Sequence, residues 1–186
     1  MKTSGKRFVG ALVAFIVSVS LFAAPAFASG TAEDVGNALP WEGVEVLSNR
    51  YADEETGSAI CRSALMLVGT AYSQDMRYSE GYVDCSSFVE RSMKGAGISF
   101  GGTAAEQARQ CVENGCVIER EEAAPGDIVF WKKAGCTCGR SMEIHHVGIY
   151  LGDGLIAEAS SSKGTVVVRD AWETPKWQIA FYARVY

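Results

Sequence analysis

The rhythm of apolar and polar residues changes twice along this chain. From Phe8 to Phe22 the residues are nearly all apolar, behind a basic start of Lys2, Lys6 and Arg7. From Thr56 to Val68 the apolar positions take helical spacing: Ile60, Ala64 and Leu67 recur at i, i+4 and i+7, and Gly69 ends the run. Thr70 to Val83 is a polar loop rich in tyrosine and serine. A second helix is predicted from Cys85 to Lys94, with Asp84 or Ser86 as its cap, Phe88, Val89 and Met93 on its buried face, and Gly95 and Gly97 at its end. Thr103 opens a third helix through Gln110, and Glu106 supplies the far half of a capping box. From Pro125 the period drops to two. Asp127–Trp131, His146–Leu151, Leu155–Ser160, Thr165–Arg169 and Ile179–Val185 read as strands, and Gly152-Asp153-Gly154 reads as a hairpin loop. Helices followed by a mostly antiparallel sheet make the class α+β.

The first apolar run changes the picture of where the chain works. A basic start, an apolar stretch too short for a comfortable membrane span and the small-x-small site Ala26-Phe27-Ala28 have the layout of a secretory signal. No cysteine follows that run before Cys61, so a lipid anchor is not expected. The expected organisation is a signal peptide over 1–28, an arm or linker over 29–57 and one catalytic domain over 58–186. Cleavage after Ala28 leaves 158 residues, with fourteen basic and twenty-two acidic side chains, a net charge of −8. That acidity argues against nucleic acid or anionic lipid as the main partner. The expected location is secreted, extracellular or associated with a cell wall, with no stable membrane anchor.

The candidate chemistry begins at Cys85. A cysteine in the first turn of a helix lies near unpaired N–H groups and the positive end of the dipole, which favour the thiolate. The same N–H groups can hold an oxyanion. His146 is the preferred base: in a regular strand it shares a face with Gly148 and Tyr150, the glycine leaving room for a groove, while His145 points the other way. If the hairpin loop is Gly152-Asp153-Gly154, Leu151 pairs with Leu155 and Glu158 falls opposite Gly148, one diagonal step from His146. A two-residue loop would turn Glu158 to the other face. A carboxylate there would orient the imidazole, as in a triad. The competing use of cysteine is disulfide formation. If Cys85 stays a thiol, Cys61, Cys111, Cys116, Cys136 and Cys138 remain, and at most two pairs form. Cys111 and Cys116 flank a turn and could pair. Cys136, Cys138 and a histidine supply three of the four ligands that a zinc site wants; a disulfide or two spare thiols is the preferred reading there.

Five runs in this order resemble the NlpC family of cell-wall peptidases: Gly69-Thr70-Ala71-Tyr72, Asp84-Cys85-Ser86-Ser87-Phe88-Val89, Thr103-Ala104-Ala105-Glu106-Gln107, Pro125-Gly126-Asp127-Ile128-Val129-Phe130, and His146 through Gly154. The resemblance implies a papain-like α+β fold, with N-terminal helices packed on a mostly antiparallel sheet of five to six strands. It implies a thiol endopeptidase of peptidoglycan stem peptides, acting at the bond between γ-D-glutamate and a diamino acid without cofactor or metal. By that similarity Cys85 is the nucleophile, His146 the base and Glu158 the third polar residue, where the family usually has histidine, asparagine or glutamine. Tyr72, Asp84 and Ser86 match positions that hold the free amino end of the stem peptide. The loop from Ser73 to Val83 departs from the family's glycine-rich form, and Gly102 stands where relatives often have arginine. Separate wall-binding repeats are not expected, so either a partner protein delivers the enzyme to the wall or it acts on soluble fragments. An amidase or acyltransferase on the same Cys–His site is the alternative enzyme; an exported thiol or zinc-binding protein is the alternative of another class.

Overall fold

The computed structural model describes residues 52–186. The predicted signal (1–28) and the predicted arm up to residue 51 lie outside the described residues. Three helices, α1 (Glu54–Met66), α2 (Cys85–Gly95) and α3 (Ala104–Glu113), pack on a sheet of eight strands among the described residues. The strands are β1 (Ala71–Tyr72), β2 (Tyr82–Val83), β3 (Val117–Ile118), β4 (Ile128–Lys133), β5 (Ile144–Gly152), β6 (Leu155–Ser160), β7 (Thr165–Asp170) and β8 (Trp177–Ala183). Their order across the sheet is β2-β1-β7-β6-β5-β4-β8-β3. The long strands β4 to β8 are those that the alternation predicts. The others have two residues each, too short to show a period, which is why the expected five to six strands become eight. Only β1 and β2 pair in parallel.

The two faces of the sheet are covered differently. Toward the helices, Phe130, Val147, Ile149, Ala157 and Ala159 meet Ile60 and Ala64 of α1 and Phe88, Val89 and Met93 of α2. Toward the other side, Val129, Trp131, Ile156 and Tyr182 sit under Trp172, Trp177 and Ile179. Two contacts fix the turn before β4. Gly57 of α1 lies against the Pro125-Gly126 turn so closely that a Cβ on it would stand 2.3 Å from the Pro125 carbonyl oxygen. Behind that turn, Asp127 is fully buried and accepts two hydrogen bonds from Arg184, from Nε at 2.8 Å and Nη2 at 2.7 Å.

The helix starts follow capping chemistry. Asp53 caps α1, its side chain accepting from the Glu55 N–H, so the helix begins two residues before the predicted start at Thr56. Asp84 caps α2 and Thr103 caps α3, each within a reciprocal capping box, with Ser87 and Glu106 respectively.

The hairpin between β5 and β6 reaches the expected register by another route. Ile149 pairs with Ala157 and Tyr150 with Ile156, as a three-residue loop would give. At the tip, however, Gly152 pairs with Leu155 around Asp153-Gly154, and Leu151 is left over as a bulge. A tight turn and a bulge cancel, so Glu158 keeps its predicted face.

Candidate active site

The parallel pairing of β1 with β2 sets Tyr72 beside Val83, directly before Asp84 and the first turn of α2. Cys85 is buried there as a free thiol. The Asp84 carboxylate accepts from the Ser87 N–H at 2.7 Å and from the Ser86 hydroxyl at 3.3 Å. Gln107 of α3, fully buried, donates to the Ser86 carbonyl at 3.0 Å and so pins the same turn from behind.

His146 of β5 joins two partners, hydrogen-bonding to the Cys85 thiol and to Glu158. Its Nε2 contacts Glu158 Oε2, which leaves Nδ1 for the sulfur. Burial alone would push the imidazole pKa down; the hydrogen bonds and charges of Cys85 and Glu158 outweigh it and raise it to about 9. Glu158 is fully buried. Burial would push its carboxyl up, and His146 and Arg169 hold it below its ordinary value instead. Tyr72 is half-buried, and burial followed by the charges of Cys85 and Asp84 pushes its phenol up to about 12, keeping it a proton donor.

Several residues that the sequence reading passed over complete the site. Arg169 of β7 contacts Glu158 Oε1, on the side away from His146, and lies over the Trp172 ring at 4.7 Å. Val167 pairs with Glu158, so Arg169 is a diagonal neighbour across β6–β7 just as His146 is across β5–β6. The signal was available: extending the diagonal rule by one more strand finds it. Arg77, in the loop that departs from the family form, pairs with Asp84 at 3.0 Å and donates to the Gly102 carbonyl at 3.1 Å. A guanidinium therefore reaches Gly102 after all, from a different stretch of chain.

Two expectations about β5 need correction. Gly148 does not open a groove: a Cβ there would stand 2.9 Å from the Ala157 carbonyl oxygen and 3.6 Å from the Trp131 ring. Nor does His145 point away from His146. Trp131 pairs with His146 and Lys132 with Ile144, so His145 is the extra residue of a bulge. Both imidazoles lie against one tryptophan cluster, His145 on Trp177 and His146 on Trp131 and Trp172. Their surroundings differ: burial, then Arg140 and Lys133, push the His145 pKa below its ordinary value. A cleft of about 330 Å³ lined by Glu158, Ser162, Arg169, Trp172 and Trp177 opens onto His146. A larger one of about 480 Å³, lined by Glu90, Lys94 and Phe100 among others, includes none of Cys85, His146 and Glu158.

Comparisons with known proteins give the family and the fold. The model of the NlpC/P60 family matches residues 69–184. The peptidoglycan DL-endopeptidase CwlO of Bacillus licheniformis is 36% identical over 101 residues, which are 53% of this chain and 19% of that protein. The probable endopeptidase NlpC of Escherichia coli is 33% identical over 114 residues, 61% of this chain and 67% of that one. A solved NLP/P60 family protein from Staphylococcus aureus, similar to lipoprotein, superposes with a TM-score of 0.60 at 25% identity, over 75% of this chain and 44% of its own.

Proposed function

Because this chain belongs to the NlpC/P60 family, we propose that it is an exported cysteine endopeptidase of peptidoglycan stem peptides, cleaving between γ-D-glutamate and the diamino acid. The observation that carries this reading is the contact chain Cys85–His146–Glu158, with its carboxylate fully buried and its imidazole inclined to keep a proton at neutral pH.

In this reading the Cys85 thiolate attacks the γ-carbonyl carbon. Of the N–H groups in the first turn of α2, that of Ser87 is taken by the Asp84 carboxylate, and those of Cys85 and Ser86 receive the oxyanion. The His146 imidazolium gives its proton to the leaving amine, the C–N bond breaks and a thioester remains. Water then loses a proton to His146 and attacks the thioester. The tetrahedral intermediate collapses, the C–S bond breaks, the γ-carboxylic acid leaves and the Cys85 thiolate–His146 imidazolium pair is restored. Glu158 orients the ring throughout and stays anionic, because Arg169 shares its charge. That sharing also moderates how strongly a glutamate, in place of the family's usual neutral residue or histidine, raises the imidazole's basicity.

Tyr72, Asp84 and Ser86 would hold the amino end of the stem peptide. Asp84 already faces Arg77, so an incoming ammonium shares the carboxylate with a guanidinium. Digestion of purified peptidoglycan tests the whole proposal. The expected new ends are a glutamyl γ-carboxylate and a free amine on the diamino acid, absent with Cys85→Ala. A free lactyl group on muramic acid would point to an amidase and overturn the bond assignment, and activity surviving Cys85→Ala would overturn the mechanism.

A further inference from the structure

The connection from β4 to β5 carries a second cluster that the peptidase chemistry does not use. Gly135 and Gly139 flank Cys136-Thr137-Cys138, both with left-handed backbone (φ 69° and 73°), and the loop between them brings the two sulfurs together. The Sγ atoms are 2.6 Å apart. His145 Nε2 lies 3.0 Å from the Cys136 sulfur and 3.4 Å from that of Cys138. The Cys138 N–H points at the Cys136 sulfur at 3.4 Å, an arrangement that supports negative charge there. Trp177 stands edge-on to the His145 ring, 6.1 Å away, and fixes its direction. The bulge in β5 is what carries the imidazole to this place.

We propose that Cys136, Cys138 and His145 form a binding site for one thiophilic divalent cation, Zn²⁺ being the natural occupant, with a water as fourth ligand. Two thiolates and an imidazole are a chemically matched set for that ion. A tetrahedral zinc with Zn–S bonds of about 2.3 Å holds its sulfurs roughly 3.7 Å apart. The cluster therefore opens by about 1 Å on binding, through the torsions of the exposed Cys138. Binding releases the two thiol protons, and the site becomes formally neutral. A disulfide between the same cysteines is the rival, but it gives the imidazole against both sulfurs no role. The inference does not depend on the peptidase reading.

Cobalt(II) and zinc titrations of the reduced, metal-stripped protein test it. One equivalent of cobalt should bring a thiolate-to-cobalt charge-transfer band and the visible bands of a tetrahedral site. Zinc should abolish both, with two protons released per ion. Cys136→Ser and Cys138→Ser should remove the bands, and His145→Ala should weaken binding by more than an order of magnitude. Cys61→Ser and Cys85→Ala should leave it unchanged. X-ray absorption of the zinc form, which needs no variant, should show two sulfur ligands. No band, a band that survives both serine variants, binding lost with Cys85→Ala, or a Cys136–Cys138 disulfide that persists in reductant with zinc present would each overturn the proposal.

Discussion

At the scale of single residues, the site turns on how one buried carboxylate divides its charge. Glu158 faces His146 on one side and Arg169 on the other. Glu158→Gln keeps the shape and removes the anion, so kcat/KM should fall on the order of 10²-fold or more. Its alkaline limb should also move down, from near 9 toward the imidazole's ordinary 6.5. The pH–rate profile separates this from a simple packing defect, which would lower the curve without moving it. Arg169→Met should act in the opposite sense. With one cation gone, Glu158 becomes more basic, and the acidic limb of the profile should rise. Arg169 is a positioning residue in this account, and an unchanged acidic limb would remove it from the mechanism.

At the scale of elements, the seat of α1 and the Pro125-Gly126 turn set where β4 begins. Gly57→Ala would force a methyl group into the Pro125 carbonyl. Overpacking of this kind costs about 1–3 kcal/mol, and should appear as a lower Tm with activity per folded molecule nearly kept. The Asp127–Arg184 pair behind the turn is nearly closed to solvent on both sides. Removing one partner strands the other charge, so Asp127→Ala should cost about 3–5 kcal/mol. Pairing it with Arg184→Met should recover part of that, and a double-mutant cycle in denaturant measures how much. These elements show where sequence reading succeeds. Helical spacing found α1, a cap with a buried apolar face found α2, the Thr103–Glu106 capping box found α3, and alternation found β4 to β8. The strands β1, β2 and β3 left no such trace, although the first two deliver Tyr72 to the thiol.

For the whole molecule, the coupled groups at the site set the pH range of stability. The His146 pKa rises on folding from 6.5 to about 9. Its contribution is therefore complete below 6.5 and lost as pH rises through about 9, a change of roughly 3 kcal/mol at most. Glu158 is shifted down, so its contribution holds above its ordinary 4.5 and fades as pH falls below that. Thermal melts should give a plateau from about 4.5 to 6.5 and a decline toward 9, and His146→Gln should flatten the alkaline decline. A melt that stays level to pH 9 would contradict the shift. The global arrangement was legible in sequence as far as Cys85, His146 and Glu158, because a helix cap and a hairpin register are local facts. Arg77 and the true direction of His145 were not, because each depends on a loop contact or a bulge that local periodicity does not encode; Arg169 needed only the same register rule carried one strand further.

The bulge in β5 has one more implication. Ile144 and His146 already face Lys132 and Trp131, neighbours on the opposite strand. A chain one residue shorter at position 145 would pair there without rephasing anything downstream. The strand thus contains a site where length can change silently, and the residue occupying it answers to something other than the sheet. A protein lacking His145 should fold, keep Cys85, His146 and Glu158 together, and lose the thiol–imidazole cluster alone.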